Sequence, residues 1–294
     1  MELDLNLVLI QLLAGVSRAM VLFLLASGLS LIFGVMNILN FAHATMWLLG
    51  GYITFSLYEG MGGEGPLLLV IAIIGGTIVM AAFGALTERF LIRRMYDREL
   101  PEQLLLTFAL LLIIGDVIKI IWGVEDRSVY LAIEPLEVGD TYINPYYFVI
   151  ITVGVAVAVG LWWFLQKTRY GRIVRAAVYN RDMVSALGIR IPLIYMGVFA
   201  LGVAIAGFAA GVFLPLMPMA LGVDIDLIVQ CFAVVVIGGF GSIFGTFVGS
   251  LLVGVVYAFS ILIWPDGALA VVFLIVVAVL MWRPWGLFGT ELRY

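Results

Sequence analysis

Charged side chains are scarce in this chain of 294 residues, of which only 12% are charged and 64% are hydrophobic. A soluble domain carries roughly 25% charged residues, so a soluble globular protein is excluded. A helix that spans a bilayer needs about 20 mostly apolar residues, and the chain contains about eight or nine such runs. These runs are continuous rather than alternating, which excludes a transmembrane β-barrel. The sequence therefore predicts an all-α, polytopic transmembrane helical bundle of the cell (inner) membrane.

Residues that bind metals or perform catalysis are equally scarce. Cys231 is the only cysteine and His43 the only histidine, so we predict no metal site and no disulfide within the chain. The glycine-rich phosphate loop is absent, as are the Gly-x-Ser-x-Gly and His-Glu-x-x-His motifs. We therefore predict a protein that is not an enzyme, has no catalytic residue and binds no cofactor itself. Nucleic-acid binding is also unsupported, because membrane topology accounts for the basic segments.

Nine apolar segments are predicted as membrane spans, with broken helices as one interpretation of the shorter ones. They cover residues 7–33, 42–58, 66–88, 103–122, 145–166, 191–215, 226–240, 243–263 and 267–282. Acidic rather than basic residues precede the first segment. We therefore expect it to insert as a span and not to be a removable signal peptide.

Basic and acidic residues alternate between these segments. Twelve of the fifteen basic residues lie in 89–98, in 167–190 and at Arg283 and Arg293. The connections between them hold mostly acids, at Glu59, Glu64, Glu125, Asp126, Glu134, Glu137, Asp140, Asp224, Asp226 and Asp266. Because cytoplasmic loops carry the excess of Lys and Arg, the basic segments are predicted to lie inside. The N-terminus then lies outside and the C-terminus in the cytoplasm.

The basic segment 167–190 carries a short helical pattern at 175–188. A membrane protein has little reason to keep a compact amphipathic helix in a cytoplasmic loop unless another protein docks there. We interpret this segment as the contact surface for a soluble motor subunit. The longest outer segment, 123–144, is either a plain connector or a surface that meets a soluble partner.

Two interruptions, at 34–45 and 238–245, separate apolar runs and hint at an internal duplication. Glycines four residues apart after the second one permit tight helix packing. Alternatively, a broken helix there exposes backbone groups to a solute path. His43 is either a structural hydrogen-bonding residue at a helix start or part of a gate. Candidate residues of a translocation path are Asn37, Asn40, His43, Thr45, Gly238, Gly239, Gly241 and Ser242.

Charged residues also fall in the interior of apolar runs. Asp116 and Lys119 lie three residues apart on one helix face, and a structural ion pair between them is favoured over a proton relay. Arg18 stands alone in the first run. It either extends outward to water or faces a partner subunit.

Short runs spread along the whole chain match one family in their order and spacing. They lie at 28–35, 39–43, 48–52, 88–89, 175–176, 186–189, 237–243 and 283–289. The first three include Asn-Phe-Ala-His ending at His43 and Leu-Leu-Gly-Gly-Tyr ending at Tyr52. With these runs, the chain resembles the branched-chain amino-acid ABC transporter permeases of the shorter, H-type subunit, which are related to urea and amide permeases. The resemblance implies a single transmembrane permease domain over residues 1–294.

The resemblance also implies partners in the lipid bilayer and on both sides of it. These are a paralogous M-type permease, two cytoplasmic ATP-binding subunits that hydrolyse the ATP, and an extracytoplasmic substrate-binding protein. The segment 175–190 is then a coupling helix that sits in a cleft of the ATPase. Its implied contact residues are Arg175, Ala176, Asn180, Arg181, Ala186, Leu187 and Gly188.

One departure from the family concerns the solute. Family members continue the Asn-Phe-Ala-His run with Gly and an acid, whereas Ala44 and Thr45 follow here. If that acid contacts the solute or a gate, this chain handles a different solute or gates differently. Urea or a short amide is therefore the alternative to a branched-chain or other small amino acid. The predicted function is ATP-driven import by alternating access, with an ion-coupled secondary transporter and a channel or scaffold as rival classes.

Overall fold

The structure is a computed structural model that describes residues 5–138 and 141–289. Asp140 and Arg293, which the charge pattern assigns to an outer and an inner segment, lie outside these described residues. The described α-helices are α1 Leu5–Met36, α2 His43–Gly60, α3 Pro66–Phe90, α4 Leu100–Trp122, α5 Tyr146–Lys167, α6 Arg169–Tyr179, α7 Arg181–Ala186, α8 Ile191–Phe213, α9 Val223–Gly238, α10 Ile243–Ile263 and α11 Ala268–Trp282. Short 3-10 turns occupy Ile92–Met95 and Pro265–Gly267.

Local sequence explains where several helices begin. Proline lies in the first turn of α3, α4 and α8, where its missing N–H costs no helical hydrogen bond. Ser242 caps α10 by accepting a hydrogen bond from the N–H of Gly245 at 3.0 Å. The predicted spans 66–88, 103–122 and 145–166 accordingly match α3, α4 and α5 to within a few residues.

Seven helical segments of the described part are long and apolar enough to cross a membrane. They are α1, α3, α4, α5, α8, α10 and the segment Pro265–Trp282 that contains α11. Helices α2 and α9 occupy the predicted spans 42–58 and 226–240 but are not both long and apolar enough to cross a membrane. The reason for α9 is its length of 16 residues, whereas α2 begins with polar side chains such as His43 and Thr45. The predicted polytopic helical bundle is confirmed, with two of its helices shorter or more polar than the others.

Helices α1 and α8 form the centre of the bundle, and α3, α4, α5 and α11 form its periphery. In the most apolar window of α1, 89% of the residues are buried inside the chain, against 17% in α5. A Cβ atom on Gly254 of α10 would lie 2.6 Å from the Cα of Ala19 in α1. A Cβ on Gly50 of α2 would lie equally close to the Cα of Gly207 in α8. Small residues at these crossings let the backbones approach closely.

The bundle has two ends, which we name by what they hold. The α6–α7 end is where α5 ends and α8 begins. At the hairpin end, β1 (Leu136–Val138) pairs antiparallel with β2 (Thr141–Ile143). The connection 214–222 also lies at the hairpin end, because Met219 forms an antiparallel bridge with Arg127. Assignment of the α6–α7 end to the cytoplasm stays a prediction of the charge pattern.

Helices α2 and α9 both begin inside the bundle, and their first turns meet. The imidazole of His43, at the start of α2, lies 3.1 Å from the carbonyl of Leu25 in α1. That carbonyl precedes the end of α1 by 11 residues, so the connection 37–42 turns back along α1. The hydroxyl of Thr45 donates a hydrogen bond to the carboxylate of Asp224, in the first turn of α9. The end of the interruption at 34–45 therefore contacts the start of α9, and the internal duplication with 238–245 stays a prediction.

Candidate functional site

The predicted coupling segment consists of two helices rather than one. The sequence pattern predicts a continuous helix over 175–188, but α6 ends at Tyr179 and α7 begins at Arg181. The reason is Asn180, whose extended backbone (φ −159°) breaks the helix. Its side chain accepts a hydrogen bond from the N–H of Met183 at 2.9 Å and so caps α7. The break gives the segment two differently oriented short helices outside the spans.

Each of these helices buries one face. Gly171, Val174 and Ala177 of α6 and Val184 of α7 are buried against the bundle. Backbone of α5 approaches α6 so closely that a Cβ on Gly171 would lie 2.4 Å from the carbonyl of Phe164. Only a glycine fits there. The helices are therefore fixed to the membrane-embedded part rather than hanging from it.

The opposite face carries apolar side chains that nothing in the described chain covers. Tyr179 is 90% exposed, Leu187 74%, Met183 61% and Val178 49%. Together with Ala186 and Gly188, which are also exposed, they form what we call the α6–α7 surface. A group of exposed apolar residues on helices outside the spans is typical of a protein-binding surface.

Most of the residues that the resemblance assigns to coupling lie on or beside this surface. Ala176, Asn180, Arg181, Ala186, Leu187 and Gly188 are exposed. Arg175 is half-buried and donates a hydrogen bond to the side chain of Gln166 in α5. Arg181 lies 4.0 Å from Asp97 and 3.8 Å from Asp182. The structure therefore brings the predicted set together on one side of the α6–α7 end, although their role in coupling stays a prediction.

A buried carboxylate connects this region to the spans. Glu88, in the last turn of α3, is fully buried and receives two hydrogen bonds from Arg93, at 3.2 and 2.9 Å. The hydroxyl of Tyr96 donates a further hydrogen bond to Glu88. These hydrogen bonds raise the pKa of the Arg93 guanidinium. Burial, followed by the bond to Glu88, raises the pKa of Tyr96.

The same cluster reaches α8. Arg93 donates to the carbonyl of Pro192 at 3.4 Å, and the ring of Tyr96 packs edge-on against Tyr195 with centroids 5.1 Å apart. An open cleft of about 480 Å³ separates the turn 92–95 from the connection between α7 and α8. In the sequence, Glu88 belongs to the family-like run at 88–89, and no ion pair is predicted for it. An acid in the last turn of an apolar helix, five residues before an arginine, was the signal for this ion pair.

The predicted path residues of the first interruption are mostly buried at the start of α2. His43, Asn40 and Thr45 are fully buried, whereas Asn37 is exposed and adopts a left-handed backbone with φ of 55°. The side chain of Asn40 accepts a hydrogen bond from the N–H of Ala42 at 3.1 Å. These contacts hold the turn that lets α2 start beside α1.

The path residues of the second interruption form the turn between α9 and α10. Gly239 and Gly241 have φ of 94° and 77°, a backbone conformation that favours glycine. The segment after α11 covers this turn, because the N–H of Leu287 donates to the carbonyl of Ile237 at 2.8 Å and that of Phe288 donates to Gly238. This contact explains the glycine-rich ending that the sequence left without a role. Neither group of predicted path residues lines a described cavity, and their role in translocation stays a prediction.

The charged residues inside the spans behave differently from one another. The ion pair expected between Asp116 and Lys119 is not formed, since neither takes part in an ion pair among the described residues. Both are exposed on α4, where their side chains point away from the rest of the chain. Arg18 instead lies against α9 and α10 beside a small cavity, so within the chain it has polar contacts that the sequence did not predict.

Comparison with known proteins connects this architecture to one family. Residues 11–281 match the family described as "Branched-chain amino acid transport system / permease component". The chain is 28% identical to the high-affinity branched-chain amino acid transport system permease protein BraD of Pseudomonas aeruginosa, over 95% of each chain. It is 27% identical to the corresponding protein LivH of Salmonella typhimurium, over 95% of this chain and 94% of that one. A probable branched-chain amino acid transport permease protein LivH of Methanocaldococcus jannaschii is 28% identical over 80% of this chain and 75% of its own.

A solved structure of PsaBC from Streptococcus pneumoniae in complex with a Fab covers 90% of this chain and 87% of its own. Its sequence identity is 12% and its TM-score 0.44, which is too low to carry an argument. The family match, by contrast, runs from the first half of α1 into the last turn of α11. With seven apolar helices among the residues that the structure describes, the chain is a multi-pass protein of the cell membrane. It belongs to the permease components of the branched-chain amino acid transport systems.

Proposed function

We propose that this chain is one permease subunit of an ATP-driven importer for branched-chain or other small amino acids. Its relatives are named as permease proteins of branched-chain amino acid transport systems. The observation that carries the proposal is the α6–α7 surface, where apolar side chains on helices outside the spans remain uncovered. Such a surface fits a soluble partner that supplies the energy, because the chain carries no phosphate loop of its own.

The proposed partners are a second, related permease, two cytoplasmic ATP-binding subunits and an extracytoplasmic substrate-binding protein. The α6–α7 surface would sit in a cleft of one ATP-binding subunit. Leu187 and Tyr179 would supply buried apolar contacts, and Arg181 would contribute charge at the rim. Ala186 and Gly188, which are small, would allow close approach of the partner's backbone. Arg175 would hold α6 against α5 through Gln166.

Coupling requires that a movement of α6 and α7 reaches the spans. Gly171 packs against the backbone of α5, and the Glu88–Arg93 pair joins the end of α3 to the start of α8. A tilt of the coupling helices would therefore move α3, α5 and α8 together rather than one loop. This arrangement supports alternating access, in which closure of the ATP-binding subunits changes which end of the bundle is open.

For the path itself, we propose the region where the first turns of α2 and α9 meet. In the motif that the chain resembles, an acid commonly takes the position of Thr45. Here the hydroxyl of Thr45 donates to the carboxylate of Asp224, so α9 supplies a carboxylate at that place. A solute path near two helix starts and a buried carboxylate suits a small polar or zwitterionic solute. Asn40 and His43 would then support the turn, and the glycines at 238–241 would permit relative movement of α9 and α10.

The docking role can be tested by placing a large charge on the α6–α7 surface. Leu187→Arg and Ala186→Arg should each reduce co-purification of the ATP-binding subunits about tenfold or more, because both side chains would face a desolvated interface. Met61→Arg is the matched control, since Met61 is also exposed but lies at the hairpin end. Normal co-purification and normal ATP-dependent uptake of leucine in both surface variants would contradict the proposal.

A second experiment separates the rival classes. The purified chain alone, in vesicles under a proton or sodium gradient, should not accumulate radiolabelled leucine. The complete importer with its binding protein and internal ATP should do so. Gradient-driven uptake by the isolated chain would instead identify a secondary transporter, and uptake of urea in place of leucine would reassign the solute.

A further inference from the structure

A small cavity lies at the hairpin end of the bundle, between α1, α9, α10 and α11. Its volume is about 170 Å³, and an apolar cavity of about 150 Å³ accommodates a molecule the size of benzene. Phe213, Val223 and Leu269, which line it, lie at the end of α8 and the beginnings of α9 and α11. The cavity is therefore reached from the end of the bundle that also carries the hairpin.

Its walls combine apolar side chains with two charges of opposite sign. Leu22, Phe213 and Leu227 contribute apolar surface, whereas Arg18 and Asp226 contribute the charges. Neither charge takes part in an ion pair among the described residues. A guanidinium and a carboxylate that form no ion pair, placed beside apolar surface, can bind a small amphipathic zwitterion.

The position of Arg18 is fixed by neutral groups. Its Nη2 donates a hydrogen bond to the side-chain oxygen of Gln230 at 2.8 Å, and its guanidinium lies 3.9 Å from the ring centroid of Tyr257. Its Nε is buried without a hydrogen-bond partner in the described part of the chain. An arginine oriented in this way keeps donors available for a carboxylate, which is the group that matches its planar fork.

The alternative is that Arg18 only holds three helices together. An ionisable residue in a membrane span is costly, and it normally pairs with another charge or with backbone carbonyls. The Glu88–Arg93 pair of this same chain shows that pairing, with both carboxylate oxygens engaged. Asp226 is available at the cavity, yet it forms no ion pair with Arg18. The arrangement separates the two charges and leaves space between apolar walls.

We propose that this cavity is a binding site for a free amino acid, with Arg18 on its carboxylate, Asp226 on its ammonium group and the apolar wall around its side chain. The site deepens the proposed function and rests on it. It would receive solute at the hairpin end before the solute passes the starts of α2 and α9. A simple anion fits less well, because Asp226 would repel it.

The test is equilibrium binding of radiolabelled leucine to the assembled permease and ATP-binding subunits in nanodiscs, without the binding protein. Wild type should bind leucine and release it to unlabelled leucine. Leucinol, which lacks the carboxylate, and 4-methylpentanoate, which lacks the ammonium group, should compete about tenfold or more weakly. Absence of displaceable binding, or equal competition by leucinol, would overturn the site.

Matched variants then locate the site within the chain. Arg18→Gln and Asp226→Asn should each weaken leucine binding about tenfold or more, as expected for the loss of a charge-assisted hydrogen bond. Lys119→Gln and Asp116→Asn remove the same charges from α4, away from the cavity, and should stay within about twofold of wild type. Wild-type affinity in both cavity variants would refute the assignment.

Two further outcomes keep the cavity and the proposed function distinguishable. If Arg18→Gln does not assemble, Asp226→Asn decides, because Asp226 is exposed and its amide analogue keeps its shape. ATP-dependent leucine uptake by the complete wild-type importer tests the proposed function alone. Uptake by wild type together with unchanged binding in Asp226→Asn would overturn only the cavity.

Discussion

Two arginines occupy the two ends of this bundle in opposite ways. At the α6–α7 end, Arg93 forms two hydrogen bonds to the fully buried carboxylate of Glu88. At the hairpin end, the partners of Arg18 among the described residues are a neutral amide and an aromatic ring, although Asp226 lines the same cavity. Among these residues, the guanidinium of Arg93 is therefore paired with an opposite charge, whereas that of Arg18 is not. This contrast fits our proposals that the α6–α7 end passes movement of a partner to the spans and that the hairpin end binds a ligand.

The carboxylate of Asp224 is intermediate between these two cases. Asp224 is buried, with 6% of its surface exposed, and accepts a hydrogen bond from Thr45. It lies in the first turn of α9, where the helix dipole favours a negative charge. A hydroxyl and a helix start therefore stabilise it without a cation. The three sites thus differ in how completely the charge is paired: Glu88 with Arg93, then Asp224 with Thr45, then Arg18. Removing a partner should lower the free energy of unfolding most at the first site and least at the last.

The largest effect is expected at the paired end. Glu88→Ala leaves Arg93 without its counter-ion and Tyr96 without its acceptor. Removing one member of a buried pair lowers the free energy of unfolding by about 3–5 kcal/mol, and the partial exposure of Arg93 places this case near the lower value. Denaturant titration of the purified permease in mixed micelles measures the change.

Glu102→Ala is the control for this prediction, because Glu102 forms an exposed pair with Arg98 at 3.7 Å. Its loss should cost less than about 1 kcal/mol. Equal destabilisation by the two variants would mean that Glu88 does not anchor α3 to α8, and the contrast between the two ends would disappear.

An intermediate effect is expected where α2 meets α9. Thr45→Val preserves the shape of the side chain but leaves the buried carboxylate of Asp224 without its hydroxyl partner. An unsatisfied buried acceptor costs about 1–3 kcal/mol. Thr77→Val is the matched control, since Thr77 donates only to the carbonyl of Ile73 in its own helix. If Thr45→Val melts at the same temperature as wild type and as Thr77→Val, the contact between the two helix starts is not stabilising.

Sequence reasoning reached the parts of this fold that depend on local pattern. Continuous apolar runs predicted α3, α4 and α5 closely, because a span is a property of consecutive residues. The break at Asn180 could also be predicted, since an asparagine at the N-cap followed by an acid, Asp182, in the first turn is a helix-start signal. The apolar pattern of 175–188 by itself predicts one helix and does not show this break.

The contacts that define the candidate sites were beyond such reasoning. Thr45 and Asp224 are 179 residues apart in the chain, and Arg18 and Gln230 are 212 apart. No local pattern records which helices become neighbours. The segment 238–245 looks like an interruption in sequence and is a turn between α9 and α10 in the structure, while the internal duplication stays a prediction. The arginine in α1 was noticed as unusual, but only the packing of α9 and α10 around it gives it partners.

The smallest effect on stability is expected at the hairpin end. This experiment separates a structural role of Arg18 from a ligand-binding one. In the double variant Arg18→Met, Gln230→Leu, both members of the hydrogen bond become apolar together, so no buried group loses its partner. Such replacements are close to neutral, and the methionine can still pack on the ring of Tyr257. We expect the free energy of unfolding to stay within about 1 kcal/mol of wild type in the same titration. Leucine binding should nevertheless be lost, because the carboxylate has no donor. A loss of stability as large as that of Glu88→Ala would instead make Arg18 a structural residue, and the two ends of the bundle would then use their charges in the same way.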